Sequence, residues 1–400
     1  MQERLHILAL SFLFPNRAQP TYGVFVLHRL QAVSRLGARL EVVSPVQWYP
    51  LIERLTGRVG ASRIEARERW ADLDVHHPRF FVVPKVMKWL DALTYTRAVS
   101  RLIARQNTGF DLIDVHWTYP DAFAGWWLAK RHRRKWLVTV RGHEAFYDRE
   151  WSLRRLIVRW LLRRADRVIA LSEELREKCI QLGVPRERTA VVLNGVDTGQ
   201  FRYMDAAECR ARLGLASAGK IILSVGRLTR GKGHDHVIRA AAALRDAGVE
   251  TDLYIIGGFN PEEDFGGELR RLINTLGLTR VHILDPVPHE RLALWYGAAD
   301  VFCLASDSEG CPNVVLEALA CGTPVVVTDV GAVTDIVRPG RNGLLVPRER
   351  MFDLTQALAA ALEQKWNPQA IAGEMHQMGW DHCARQVIDQ YSRAMQGTAQ

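Results

Sequence analysis

Short apolar runs alternate with amphipathic segments along nearly all of these 400 residues, and that alternation permits few folds. Parallel strands need crossover connections, so a repeated strand-then-helix rhythm points to parallel sheets covered by helices. Residues 5–10 are followed by a helical pattern over 24–35 and an apolar run at 40–43; the runs at 112–115, 136–140, 168–171 and 191–193 continue the series. The spacing predicts an α/β, doubly wound domain over residues 1–200. After a polar stretch at 205–219, a second series opens at 221–225 and continues through 253–256, 281–284, 301–304, 324–328 and 343–346. A second doubly wound domain is therefore expected over 201–379, with an amphipathic segment at 380–394 beyond it.

Chemistry concentrates near residue 310. The apolar run 301–305 ends in a polar turn, Pro312 and Asn313 supply helix-start signals, 314–321 is a helical run, and Gly322 with Pro324 stops it. Glu309 thus falls on the loop and Glu317 in the first turns of the helix. A helix N-terminus offers unpaired N–H groups and partial positive charge, so an anionic group can dock between the two carboxylates. The backbone from Cys311 through Pro312 and Asn313 to Val314 is the candidate contact, as a nucleotide sugar would require. The Cys311 thiol itself is read as incidental.

Gly226-x4-Gly231-Lys232 satisfies most of a phosphate-binding P-loop and then fails, because Gly233 stands where Ser or Thr must hold magnesium. In the first series, Tyr22-Gly23-Val24-Phe25-Val26 follows the first strand and opens a helix, so Gly23 would let backbone approach a diphosphate closely. His116-Trp117, with Pro120 and Asp121, lies at a strand end, where open α/β sheets place ligands. A satisfied buried histidine is the competing reading of His116.

These segments resemble the Glu-x7-Glu signature of glycosyltransferase family 4, whose retaining enzymes have the GT-B architecture of two Rossmann-like domains facing across a cleft. The resemblance continues through Val225-Gly226-Arg227-Leu228 with Lys232-Gly233, through Tyr254-Ile255-Ile256-Gly257-Gly258, and through Trp295-Tyr296-Gly297-Ala298-Ala299-Asp300. Ala165-Asp166-Arg167-Val168-Ile169-Ala170-Leu171-Ser172 and Asn194-Gly195-Val196-Asp197 extend it in the expected order. It implies that Arg227 and Lys232 clamp the donor diphosphate, that Glu309 meets the donor sugar, and that Glu317 holds the ribose. Gly257 and Val287 complete the donor set, with nucleobase contacts around residues 285–288. The C-terminal segment 380–400 would cross back to the first domain.

Val138-Thr139-Val140-Arg141-Gly142-His143-Glu144 departs from the usual family text, which has histidine before the glycine and aspartate two residues after it. Arg141 and Glu144 occupy those positions here. His143, next to the glycine, stands as the candidate catalytic histidine, and His116, Arg141, Gly142 and Glu144 as the acceptor side.

The resemblance implies transfer of a sugar from a nucleoside diphosphate donor to a hydroxyl of a lipid-linked or saccharide acceptor, in cell-surface polysaccharide or glycolipid assembly, with no obligatory metal or other cofactor. A nucleotide-sugar epimerase or hydrolase would use the same donor pocket, and a carbohydrate-binding scaffold the same fold. No GxGxxG follows a predicted strand, which disfavours a nicotinamide dehydrogenase. Asp72-Leu73-Asp74, the following His76-His77 pair and His234-x-His236 are weak metal texts.

The formal charge is +9, and residues 126–167 carry thirteen Lys and Arg against four acids, an excess equal to that of the whole chain. Trp126, Trp127, Trp136, Trp151 and Trp160 share that region, a mixture suited to an anionic membrane surface. A solvated basic face with its tryptophans in the core is the competing reading. Nucleic acid lacks support from any recognised binding signature. Six cysteines without a CxxC pair favour free thiols and the cytoplasm. Glu3 and the missing small-residue cleavage site make residues 5–14 a first strand rather than a signal peptide, and no run is long enough to span a membrane, so attachment to its inner face would be peripheral.

Overall fold

Valine and isoleucine fill the strand segments without alternation, as strands buried on both faces require. In the computed structural model they form two large sheets and one two-stranded sheet. The structure describes residues 4–49, 64–82, 88–107, 109–148, 152–216, 218–258, 265–348, 350 and 352–396. The chain divides into one unit of Met1–Asn194 with Trp380–Gln400 and another of Gly195–Gly379.

The first unit contains β1 (His6–Leu10), α1 (Val24–Arg35), β2 (Arg39–Val43), β3 (Val46–Trp48), β4 (Arg67–Trp70), β5 (Leu73–His76), β6 (Arg79–Phe81), α2 (Asp91–Gln106) and β7 (Leu112–Val115). It continues with α3 (Asp121–His132), β8 (Lys135–Val140), α4 (Leu153–Leu162), β9 (Arg167–Ala170), α5 (Glu173–Gln181) and β10 (Thr189–Val191). Its main sheet runs β10-β9-β8-β7-β1-β2-β5-β4 and is parallel except for the β4–β5 pair. Residues 7–10 of β1 are fully buried at its centre; of the N-terminal apolar run 5–14 only His6–Leu10 is a strand, and residues 11–14 follow it as a loop.

The second unit contains α6 (Ala206–Leu213), β11 (Lys220–Val225), α7 (His234–Asp246), β12 (Thr251–Ile256), α8 (Phe265–Thr275), β13 (Val281–Leu284), α9 (His289–Ala298) and β14 (Val301–Leu304). α10 (Asn313–Ala320), β15 (Val325–Thr328), α11 (Val333–Ile336), β16 (Gly343–Val346), α12 (Phe352–Glu363) and α13 (Pro368–Met375) complete it. Its sheet is wholly parallel in the order β13-β12-β11-β14-β15-β16. Renumbered from its first strand that order is 3-2-1-4-5-6, the Rossmann order, and the direction of winding reverses between β11 and β14.

The chain then returns as α14 (Trp380–Gln396) to the first unit. Cys383, Ala384, Val387 and Tyr391 recur every few residues on one face, which packs on Ile7, Leu112, Leu137 and Ile169 of β1, β7, β8 and β9. Each large side chain buried there contributes about 1.5–3 kcal/mol.

Trp136 is not a surface aromatic: it lies in β8 and is 3% exposed, because both faces of that strand are covered. Trp127 and Trp160 are exposed, whereas Trp151 lies outside the described residues. Among the described residues the metal texts are not gathered into a site. Asp72 accepts from Ser34, Asp74 pairs with Arg67 at 3.2 Å, and His77 is buried against the Ser44 carbonyl. None of the six cysteines is in a disulfide. Among the described residues no helix is long and apolar enough to cross a membrane.

Candidate active site

Where winding reverses in an open α/β sheet, the loops leaving the adjacent strands part and open a crevice at the strands' carboxyl ends. In the second unit the two loops are 226–233, after β11, and 305–312, after β14. A backbone hydrogen bond from Asp307 N–H to the Gly231 carbonyl, 3.0 Å, ties them together. Lys232 Nζ and Glu309 Oε1 meet across them at 2.5 Å, with the carboxylate side chain only 11% exposed. The Arg227 side chain is exposed and makes no ion pair or hydrogen bond with a described residue, whereas Arg230 is held by Glu268. The loop therefore presents one uncommitted cation, Arg227, and two cations matched to carboxylates.

Gly257 follows β12 and closes against the same loop. A Cβ there would lie 1.9 Å from the Gly226 carbonyl oxygen, so only glycine lets the two backbones approach this closely. On the other side, Gly310, Cys311 and Pro312 lead into α10. Pro312 has no N–H, so the expected run of donors from Cys311 to Val314 is interrupted there. The Pro312 carbonyl instead accepts from Val315 N–H in the first helical turn.

Glu317 lies one turn further on and is 7% exposed. Tyr296 donates to its Oε2 at 2.9 Å, and His289 Nε2 lies 3.2 Å from its Oε1. Gln200 secures His289 by donating to its carbonyl at 2.8 Å and facing Nδ1 at 3.1 Å. The hydrogen bond with Glu317 raises the His289 pKa despite partial burial. Sequence reasoning missed His289 and Gln200. One signal was present: His289 and Tyr296 are seven residues apart on α9, hence on one face. Val287 sits half-buried in the loop just before His289.

His234 is fully buried at the start of α7, with Nδ1 3.1 Å from Ser224 Oγ, and burial lowers its pKa to about 4. It is a neutral core histidine.

The first unit groups a different set. His116, just beyond β7, is 1% exposed and sits between Asp114, whose Oδ2 is 3.1 Å from Nε2, and Arg141, whose Nη2 donates to Nδ1 at 2.8 Å. Arg141 also donates through Nε to the His116 carbonyl at 3.1 Å and stacks over Phe25. Accepting at Nδ1 leaves Nε2 to donate, so His116 is the neutral tautomer, and burial lowers its pKa accordingly. Tyr391 of α14 donates to Asp114 Oδ2 at 2.6 Å. Asp114 was legible as a charge inside an apolar strand run.

Gly142 precedes a short 3-10 turn, His143–Phe146. His143 is half-exposed and pairs with Glu174 at 2.9 Å, apart from the His116 and Arg141 pair. The Glu144 side chain lies outside the described residues. Gly23 caps α1 at φ +70°, where a Cβ would strike the Leu13 carbonyl oxygen at 2.4 Å.

A switch-point crevice furnished with cations and paired carboxylates, in a chain of two Rossmann-like units, defines a GT-B glycosyltransferase. Residues 23–200 match the family described as Glycosyltransferase Family 4, and residues 205–377 match that described as Glycosyl transferases group 1. The chain belongs to glycosyltransferase family 4.

Among curated relatives, the D-inositol 3-phosphate glycosyltransferase of Nocardia farcinica is 34% identical over 75% of this chain and 70% of its own length. That of Gordonia bronchialis is 31% identical over 96% and 87%. Three others of that name align over 54 to 58% of their own length. Among solved structures, sucrose-phosphate synthase from Thermosynechococcus elongatus superposes with a TM-score of 0.78 at 23% identity, over 98% of this chain and 99% of that one. Anabaena HepE in complex with UDP-glucose gives 0.68 at 21%, over 97% and 100%. Both share the fold.

Proposed function

We propose that this glycosyltransferase takes a sugar from a nucleoside diphosphate donor and passes it, with retention of anomeric configuration, to a hydroxyl of a lipid-linked or saccharide acceptor. The observation that carries the reading is the approach of Lys232 to Glu309 where the β11 and β14 loops meet, with Arg227 uncommitted beside them. In this reading Arg227 and Lys232 neutralise the diphosphate and stabilise the charge that grows on it as it leaves. Glu309 turns to the donor sugar, and Glu317, oriented by Tyr296 and His289, accepts from the ribose hydroxyls. The leaving diphosphate oxygen takes the acceptor proton on the face it departs from, so no protein nucleophile is needed. His116, Arg141, Gly142, His143 and Glu144 are assigned to the acceptor side and Gly23 to the diphosphate. No metal is assigned a step.

The printed names of the relatives favour a second acceptor, a phosphorylated cyclitol such as inositol phosphate. On either reading the enzyme works in the cytoplasm. For the lipid-linked acceptor it would sit peripherally on the inner face of the membrane and serve cell-surface polysaccharide or glycolipid assembly.

The experiment is thermal unfolding against UDP, GDP and ADP in EDTA, for the native chain and Lys232→Ala. A ligand at about 100 times its dissociation constant adds about 2.7 kcal/mol of stability. Stabilisation by one base that disappears in the variant supports the donor site, and no response from any base refutes it. Product analysis by NMR with inositol phosphate and with a polyprenyl-linked saccharide then separates the acceptors and reads the anomeric configuration.

A further inference from the structure

Helices α2, α3 and α4 of the first unit carry only two acids, Asp91 and Asp121, each at a helix start and each buried. Against these stand eight Lys and Arg. Six of the thirteen large hydrophobic side chains exposed among the described residues lie on these helices or in the turn leading into α2: Trp89, Leu93, Trp127, Leu153, Leu156 and Trp160. Exposed leucine and tryptophan scattered singly mean little, but gathered among bases they form a patch that water covers poorly.

Between α2 and α3 the patch deepens into a groove of about 610 Å³. Phe123, Leu128 and Trp127 line it from α3, and Leu93 lines it from α2. Arg97 and Arg101, four residues apart on α2, and Arg131 on α3 also line it, and none of the three pairs with a described residue. Ser100 Oγ, buried among them, has no hydrogen-bond partner. The groove therefore joins apolar walls to three unmatched guanidinium groups and an idle hydroxyl.

We infer that this groove seats one anionic phospholipid of a bilayer, its phosphate on Arg97, Arg101 and Arg131 and the first part of a chain against Phe123 and Trp127, with Leu153, Leu156 and Trp160 entering the interface beside it. Guanidinium forks match phosphate oxygens. The aliphatic side chains select a bilayer over a nucleic acid, which has no hydrocarbon phase to receive them. The inference rests on the lipid-linked form of the acceptor reading and deepens it by naming the surface that holds the enzyme at the membrane.

The test is vesicle flotation of the full chain at low salt, with neither donor nor acceptor present, on phosphatidylcholine alone and on phosphatidylcholine mixed with phosphatidylglycerol. The chain should float with the mixed vesicles and not with the neutral ones. Arg97→Gln/Arg101→Gln/Arg131→Gln should weaken that binding by about two orders of magnitude, and high salt should do much the same. Leu93→Ala/Trp127→Ala, which keeps the charges, should reduce the part of the binding that survives high salt, the remainder resting on Leu153, Leu156 and Trp160. Unchanged unfolding temperatures of the variants verify that they fold, since the substituted side chains are exposed and the three arginines make no ion pair with a described residue. Equal binding by the triple-arginine variant, equal binding to neutral vesicles, or binding of duplex DNA with the same arginine dependence but no flotation, each overturns the inference. No sugar moves in this experiment, so failure of the donor assignment would show in the nucleotide titration and leave flotation intact.

Discussion

Lys232 Nζ rests 2.5 Å from Glu309 Oε1, so the cation assigned to the phosphates holds the carboxylate assigned to the sugar. A diphosphate that engages Lys232 must draw it away and release Glu309 at the moment the sugar arrives. The two residues should then separate cleanly in mutation. Lys232→Ala should weaken nucleoside diphosphate binding about 10- to 100-fold, the worth of one charge-assisted hydrogen bond. Glu309→Gln frees the lysine, so nucleotide binding should hold or tighten while transfer falls about 100-fold or more. Calorimetric titration beside initial rates reads both. Equal losses of nucleotide affinity in the two variants would contradict the assignment.

Gly257→Ala should destabilise the second unit by about 1–3 kcal/mol, because the added methyl meets the Gly226 carbonyl and neither backbone can yield without moving its strand. The shift should appear in thermal unfolding, together with weaker nucleotide binding from the displaced loop. An unshifted melting temperature would mean that the loops do not pack this closely.

His289 has its pKa raised, chiefly by its hydrogen bond to Glu317. A group that binds its proton more tightly folded than unfolded contributes stability that is complete below the unfolded value of about 6.5 and is lost as pH rises through the folded value. The stability gap between the native chain and His289→Gln should therefore be wider at pH 6 than at pH 8. Urea unfolding at the two pH values measures it, and a gap that widens toward pH 8 would reverse the sign argued here.

Asp121 is fully buried, and desolvation lifts its pKa to about 7 although Phe12 N–H and Tyr95 donate to it. The folded value lies above the unfolded one, so the contribution is present near pH 4 and is lost as pH rises toward 7. Asp121→Asn should flatten that decline, and by pH 8 it should be the more stable chain, by up to about 4 kcal/mol. Parallel pH profiles that never diverge would refute the burial argument.

The central strands were legible because both faces of each are covered, which leaves uninterrupted runs such as Val301–Leu304. The edge strand β4 was not, since Arg67-Glu68-Arg69-Trp70 has one partner and a largely polar sequence. Trp136 misled because its basic neighbours suggested a surface while strand pairing decided its place. At the site, Glu309 and Glu317 were legible from the helix-start signals between them. His289 and Gln200 were not: His289 meets Glu317 through the way α9 packs on α10, Gln200 reaches His289 from 89 residues away, and sequence spacing carries no record of either. Tyr391, in the last helix, reaches Asp114 across 277 residues of chain, and no local pattern foretells that bond.

The place of α14 also sets a timetable. Its residues cover Ile7, Leu112, Leu137 and Ile169, yet they leave the ribosome only after every residue of the second unit has done so. During synthesis the flank of the older sheet that α14 covers goes without that cover until the younger unit has been made. The nascent chain thus has a window in which its first-made strands expose apolar surface that its own helix later hides, the kind of surface on which unfinished chains aggregate.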